Sequence, residues 1–174
     1  MVTYKFLFDA DRCIGCSACE VACKIKNEVP VGSRRRRVVE IERGEYPNVQ
    51  KYSVSLACMH CTDPPCMAAC PTGAIYKRGD GIVLNDKSKC IGCGYCSWAC
   101  PFAAPQFPEG SFKLGGKMDK CTLCVLPFEG GEQKEPNPRC ADLCTTKALH
   151  AGDADEINEI YRKRVAAKLQ QGIV

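Results

Sequence analysis

The sequence predicts an α+β fold of two small nested modules, with a β-hairpin inserted into the chain and a helix near the C-terminus. The 174 residues include 16 cysteines, which form four runs of four with none left over. A motif of the first run, Cys13-Ile14-Gly15-Cys16, recurs in the third as Cys90-Ile91-Gly92-Cys93, which indicates internal repetition. The runs are Cys13, Cys16, Cys19 and Cys23; Cys58, Cys61, Cys66 and Cys70; Cys90, Cys93, Cys96 and Cys100; and Cys121, Cys124, Cys140 and Cys144.

The spacing within the runs predicts four [4Fe–4S] clusters. Runs one and three read C-x2-C-x2-C-x3-C, the bacterial ferredoxin spacing, in which the fourth thiolate ligates the other cluster of a pair. Run two has two extra residues before its third cysteine, and run four has fifteen residues between its two halves. Proline follows Cys70 and Cys100, as it does at the end of the ferredoxin run.

Two other uses of cysteine fit the pattern less well. Disulfide scaffolds are typical of short secreted chains, but the first nine residues have no long apolar core and no small-residue cleavage site. Zinc sites use paired C-x2-C motifs, which need no third cysteine directly after the first two. The triplet spacing therefore favours iron–sulfur chemistry over both alternatives.

Because each run lends its fourth cysteine to a partner, the runs must pair. Runs two and three are adjacent and would form one unit, which leaves runs one and four to pair across it. A tandem pairing, one with two and three with four, competes with this arrangement. The nested pairing predicts four ligand sets: Cys13, Cys16, Cys19 and Cys144; Cys121, Cys124, Cys140 and Cys23; Cys58, Cys61, Cys66 and Cys100; and Cys90, Cys93, Cys96 and Cys70.

The remaining elements complete the predicted organisation. An alternating segment, Val38 to Arg43, followed by Gly44 and a second strand near Tyr52 to Leu56, predicts the hairpin. A capping-box-like start at Asp153, followed by apolar residues at helical spacing, predicts the final helix. The predicted parts are an outer ferredoxin-like module (1–30 plus 115–153), the hairpin insertion (31–57), an inner ferredoxin-like module (58–114), and the C-terminal helix and tail (154–174).

Charge and composition narrow the function. The formal charge is +4, but four clusters at about −2 each would bring it to about −4, so a nucleic-acid partner is not expected. We expect the run Arg34 to Arg37 to belong to a hairpin with one solvated and one buried face; some of these arginines could instead lie beside a cluster or meet an acidic partner.

No apolar stretch approaches the length of a membrane span. The sequence shows no paired catalytic carboxylates, no nucleophile with a base and no phosphate loop, so it predicts no enzyme activity of its own.

His60 lies between Cys58 and Cys61. Because sixteen thiolates fill every ligand position, we expect His60 to contact the ligands rather than to bind iron. Tyr95 and Trp98, in the third run, are expected to pack around the cluster or to line an exit route for electrons.

The motifs from Cys13-Ile14-Gly15-Cys16 to Lys120-Cys121-Thr122-Leu123-Cys124 resemble those of the four-cluster iron–sulfur subunits of molybdenum and tungsten oxidoreductases. These include the electron-transfer subunits of dimethyl sulfoxide reductase, formate dehydrogenase, polysulfide or thiosulfate reductases, and tungsten aldehyde oxidoreductases. The resemblance covers nearly the whole chain and implies the nested pairing. Lysine follows Cys23 and threonine follows Cys144, where proline is common, so those two corners are expected to be looser.

The resemblance implies a non-catalytic electron-transfer subunit of anaerobic metabolism. It would connect a catalytic Mo- or W-pterin subunit to a second redox partner, such as a flavin subunit, with several copies possible in one assembly. The chain shows no twin-arginine signal, which favours a cytoplasmic complex. A freely diffusing polyferredoxin is the alternative.

Overall fold

The computed structural model describes residues 3–108, 116–125, 136 and 138–172. The predicted module boundary at 114/115 and most of the spacer between the two halves of the fourth run lie outside these residues. Within them the chain alternates short strands, cysteine-bearing loops and short helices, so the predicted mixture of helix and sheet is confirmed.

Three two-stranded antiparallel sheets form the β-structure of the described residues. One joins the two ends of the chain, with Tyr4 opposite Asp153 and Phe8 opposite Leu149. Another is a short ribbon in which Ile75 pairs with Asn85. The strands are β1 (Tyr4–Phe8), β2 (Arg36–Arg43), β3 (Gln50–Ala57), β4 (Ile75–Lys77), β5 (Val83–Asn85) and β6 (Leu149–Asp153), and they pair as β1–β6, β2–β3 and β4–β5.

The helices carry cysteines at a repeated position. The third cysteine of every run is the second residue of a helix, so all four runs enter a helical turn at the same point. Helix contacts link run one with run four and run two with run three, because the helix Ala18–Lys26 packs on Arg139–Asp142 and the helix Pro65–Ala68 packs on Tyr95–Ala99. The helices are α1 (Ala18–Lys26), α2 (Pro65–Ala68), α3 (Tyr95–Ala99), α4 (Arg139–Asp142) and α5 (Ala154–Gln170), and a 3-10 turn covers Ala10–Arg12.

The C-terminal helix α5 packs on the sheet that joins the chain ends. Its N-cap is Asp153, whose side chain accepts a hydrogen bond from the Asp155 N–H, as is usual for an aspartate at this position. Ile157 is buried on the sheet side. Arg164 donates to the Asp9 carboxylate at 3.0 Å and to the Lys147 carbonyl at 2.9 Å, which holds the middle of the helix against the first strand region.

The hairpin β2–β3 pairs Arg36 with Ala57 and Arg43 with Gln50. The arginine run does not lie wholly on a solvated face: Arg35 and Arg36 are buried, whereas Arg37 is exposed. Arg35 is neutralised by Asp119, with Nε to Oδ2 at 2.6 Å and Nη2 to Oδ1 at 2.9 Å. The hairpin is therefore fixed to the body of the protein by a buried ion pair.

The packed interior is small, and about a third of its buried side chains are cysteines. One cluster of buried side chains includes Phe6, Ile82 and Leu84 together with Cys58 and Cys121. A second cluster of buried side chains packs Val83 and Met118 against other cysteines. In the described part of the chain, no helix combines the length and the apolarity that crossing a bilayer would demand.

We predict that removing the clusters unfolds the chain. Two-stranded sheets of three to eight residues are marginal on their own, and small metallo-domains derive their folding free energy from the metal. Oxidation with a chelator, followed by desalting, should abolish most of the far-ultraviolet circular dichroism in step with the loss of iron. A sample treated with the chelator alone under anaerobic conditions is the control. Retention of the full signal in iron-free protein would contradict the prediction.

Candidate metal centres

Four cysteines from runs two and three line one cavity. We call this set the Cys90 tetrad: Cys70, Cys90, Cys93 and Cys96. The pKa of Cys96 is raised to about 12, first by burial and then by the charges of Cys90, Cys93 and Cys70, among others. The Met118 amide donates to the Cys90 sulfur at 3.4 Å, so the segment before run four closes over this site.

Four cysteines from runs one and four line a second cavity. They form the Cys121 tetrad: Cys23, Cys121, Cys124 and Cys140. The Asn27 amide nitrogen lies 3.8 Å from the sulfur of Cys23 and 3.8 Å from that of Cys124, so one side chain touches both runs. The pKa of Cys23 is raised to about 12, first by burial and then by the neighbouring thiols of Cys140 and Cys124.

For each of the other two sets, the pKa shift of the third cysteine shows which thiols lie near it. The Cys58 tetrad is Cys58, Cys61, Cys66 and Cys100; burial raises the pKa of Cys66, and the other three members raise it further. The Cys13 tetrad is Cys13, Cys16, Cys19 and Cys144. Burial raises the pKa of Cys19, and Cys144 and Cys13 add to the rise. Cys16 itself is exposed. These are the neighbours that the nested pairing requires.

The tetrads follow one another in a series. The charge of Cys19 raises the pKa of Cys140, so the Cys13 and Cys121 tetrads are close enough to interact electrostatically. Cys58 raises the pKa of Cys121, and Cys66 raises that of Cys96. The thiols of the four sets therefore influence one another in the order of the Cys13, Cys121, Cys58 and Cys90 tetrads.

Two fourth-position cysteines, Cys70 and Cys144, sit in equivalent hydrogen-bonded turns. Desolvation raises their pKa, but hydrogen bonds outweigh it, so both pKa values are lowered overall. Cys70 is bonded by the Thr72 hydroxyl and the Ile75 amide, and Cys144 by the Leu149 amide at 3.4 Å and by Thr146. Hydrogen bonds to sulfur are one of the means by which a protein tunes a cluster.

The donor set fits a positively charged inorganic core. Burying several thiolates together without a cation is unfavourable, which is why burial raises the pKa of Cys23, Cys96 and Cys121. Around a single Zn²⁺ with Zn–S near 2.3 Å, sulfurs would lie roughly 3.8 Å apart. Across the described residues no three His, Cys, Asp or Glu side chains are grouped tightly enough for one ion. The thiols of the Cys90 and Cys121 tetrads instead surround cavities.

Sequence reasoning missed a buried lysine near the inner tetrads. Lys120, 2% exposed, donates to the carbonyls of Val83 and Cys121, and its positive charge opposes the rise in the pKa of Cys66 that burial causes. Lys5 donates to the His60 carbonyl at 2.7 Å, and burial lowers its pKa. Lys120 precedes Cys121 directly, so its position in the motif was a usable signal.

His60 is fully buried and its Nδ1 accepts a hydrogen bond from the Val83 amide at 3.0 Å. It thus ties the second run to β5, and burial holds its pKa well below the usual value. The rings of Tyr95 and Trp98 lie 5.6 Å apart, and Trp98 is 72% exposed, so the second expectation, an exit route for electrons, stays a prediction. This aromatic pair lies on the surface beside the Cys90 tetrad.

These sites define a class: a small protein that encloses polynuclear iron–sulfur clusters in paired cysteine loops. Comparison with known proteins agrees. A family model described as a 4Fe-4S dicluster domain matches residues 49–154, and a second model of the same description matches residues 12–74. With sixteen cysteines in four runs, the chain carries four [4Fe–4S] clusters.

Relatives narrow the family. The chain is 51% identical over 175 residues to the formate dehydrogenase iron-sulfur subunit of Wolinella succinogenes, covering 92% of this chain and 86% of the relative. It is 38% identical over 164 residues to a component of the anaerobic dimethyl sulfoxide reductase of Escherichia coli (90% and 76%). It is 39% identical over 173 residues to the thiosulfate reductase electron transfer subunit PhsB of Salmonella typhi (94% and 86%). The chain belongs to this family of 4Fe-4S dicluster iron–sulfur subunits, and the resemblance inferred from the sequence is confirmed.

Gly92 should be essential for loading the Cys90 tetrad. Its φ is +72°, and a Cβ there would collide with the Gly116 carbonyl oxygen, which cannot move without displacing the segment that bonds Cys90. We predict that Gly92→Ala loses the four irons of one cluster. Gly73→Ala is the control, because Gly73 also has a positive φ (+62°) but open space around it.

Iron and sulfide per chain, measured after anaerobic purification, test this comparison. Equal iron loss in the two variants would show that backbone strain, and not the close approach of Gly116, is what matters. Full loading of Gly92→Ala would refute the prediction directly.

Proposed function

We propose that this chain is the electron-transfer subunit of an oxidoreductase complex. It would connect a catalytic subunit holding a molybdenum or tungsten cofactor to a second redox partner, such as a flavin subunit. Each [4Fe–4S] cluster supplies one-electron redox chemistry, and the protein holds the clusters, separates them and sets their potentials. The observation that carries the proposal is the unbroken series of four cysteine tetrads.

The ligand assignment is part of the proposal. We propose that the Cys13, Cys121, Cys58 and Cys90 tetrads each hold one cluster, with every fourth cysteine lent to the partner run. The contacts of Asn27 with Cys23 and Cys124, and the two cavities lined by four thiols each, support this assignment over a tandem pairing.

The domain division follows from the ligand assignment. We propose an outer ferredoxin-like module (1–30 plus 115–153) around an inner one (58–114), with the hairpin (31–57) inserted and the helix and tail (154–174) appended. Pairing of β1 with β6 and of β4 with β5 supports it, since each sheet joins segments assigned to one module.

Apolar side chains are exposed at both ends of the series of tetrads, which supports a position between two redox partners. Beside the Cys13 tetrad, Ile14 is exposed; beside the Cys90 tetrad, Ile91 and Trp98 are exposed. Such apolar surface next to the first and last clusters suits contact with other redox subunits. The relatives are named as parts of formate dehydrogenase, dimethyl sulfoxide reductase and thiosulfate reductase, which supports a catalytic partner of that kind.

A cytoplasmic location, a tungsten cofactor, a flavin partner and a multi-copy assembly stay predictions. We propose no catalytic role for any of the described residues. The relatives are named as iron–sulfur or electron-transfer subunits, which supports a non-catalytic subunit.

Anaerobic purification of the chain with its natural partners tests the function. We expect a complex containing molybdenum or tungsten, in which a substrate or acceptor of the catalytic subunit changes the visible absorbance of all four clusters. Formate, aldehydes, dimethyl sulfoxide and thiosulfate are the candidates to try. Isolation of a bare, fully loaded monomer from the same cells would favour the freely diffusing polyferredoxin.

Paired cysteine variants test the ligand sets. With nested pairing, Cys16→Ala combined with Cys144→Ala removes ligands from one site, so one cluster should be lost. Cys16→Ala combined with Cys70→Ala then affects two sites, and two clusters should be lost. A tandem pairing gives the opposite result for both combinations. Iron and sulfide content, together with the spin count after reduction, distinguishes the two schemes.

A further inference from the structure

Arg36 is a buried cation with no carboxylate to neutralise it among the described residues. Its residue exposure is 3%, and its guanidinium lies 4.6 Å from the centre of the Phe6 ring. The neighbouring Arg34 and Arg35 are each paired, with Glu20 at 2.7 Å and with Asp119 at 2.6 Å. A buried, unpaired charge is costly, so its persistence indicates a negative group nearby.

The groups around Arg36 are thiols of the outer module. Its Nη1 donates to the Ser55 hydroxyl at 3.0 Å, and that hydroxyl lies 3.4 Å from the Cys19 sulfur. Its Nη2 is buried and has no hydrogen-bond partner within the described part of the chain. Phe6, which it covers, belongs to the same buried cluster as Cys23, Cys121 and Cys140.

The charge of Arg36 acts on two tetrads at once. The Arg36 side chain hydrogen-bonds the Cys140 thiol, and the Ser55 hydroxyl to which it also donates lies 3.4 Å from the Cys19 sulfur. Cys19 belongs to the Cys13 tetrad, and Cys140 belongs to the Cys121 tetrad. One guanidinium is thus placed between two neighbouring sites of the series.

We propose that Arg36 is a shared counter-charge that raises the reduction potentials of the two clusters of the outer module, those of the Cys13 and Cys121 tetrads, more than the potentials of the inner module. Reduction adds one electron, and hence one negative charge, to a cluster, and a cation held in a low-dielectric interior stabilises that charge. The Nη2 group of Arg36, which has no partner within the described residues, would donate a hydrogen bond to a cluster sulfur or to a cysteine thiolate. This inference rests on the proposed ligand sets of the outer module.

A redox titration of the intact four-cluster protein, monitored by electron paramagnetic resonance, tests the proposal. Arg36→Gln should lower the reduction equilibrium constants of two of the four clusters by on the order of tenfold each, which is about 59 mV for a one-electron couple. Arg36→Lys keeps a positive charge at the site and should retain more of both constants than Arg36→Gln does, although an ammonium does not reproduce the stacked guanidinium. Arg37→Gln, the matched control, removes an exposed charge one residue away and should leave all four nearly unchanged, because solvent and salt screen it.

Several results would overturn the proposal. They are four unchanged potentials in Arg36→Gln, a shift of only one cluster, a uniform shift of all four, or a fall in Arg36→Lys as large as that in Arg36→Gln. If Arg36→Gln fails to load its clusters, Ser55→Ala replaces it. That variant removes the hydroxyl between Arg36 and Cys19. It should keep its full iron content and lower the reduction potential of the cluster in the Cys13 tetrad. If all four potentials are unchanged in this variant, the proposal is refuted.

Failure of the proposed function is distinguishable from failure of this inference. An absent catalytic partner leaves the four potentials measurable in the isolated chain. A wrong ligand assignment is revealed by the paired cysteine variants, whatever Arg36 does.

Discussion

The burial of thiolates is the constraint on which the structure depends. Cysteines of every run are withdrawn from water, and burial raises the pKa of those at the third position. Such groups stay ionised in a protein interior only around a cationic core. The clusters therefore do more than carry electrons. They replace the large apolar core that strands of three to eight residues do not provide.

Compensation for this charge is distributed unevenly along the series. Backbone amides and hydroxyls bond the sulfurs of Cys70 and Cys144 in equivalent turns, so the two modules share that device. The buried cations differ: an arginine from the hairpin serves the outer module, and Lys120 lies against the inner one. Two modules of similar cysteine spacing can thus hold clusters of different potential.

Local patterns in the sequence predicted most of the scaffold. The alternation after Val38 and the cap at Asp153 act over a few residues, and each led to the right element. The fate of the arginine run could not be predicted in this way. Asp119, the partner of Arg35, lies 84 residues away, and Asn27 contacts the sulfur of Cys124, which is 97 residues away. Only the tertiary pairing of the runs brings such groups together.

The same packing brings cysteines of runs two and four together. Cys58, Cys121 and Cys140 lie in one buried cluster, together with Ile82 and Leu84. The Cys121 and Cys58 tetrads, the two in the middle of the series, are therefore separated by packed core rather than by a flexible linker. Packed interiors resist deformation. The spacing of the two central clusters is then a property of the fold, whereas the end clusters, beside exposed surface, are the ones whose surroundings a partner can change.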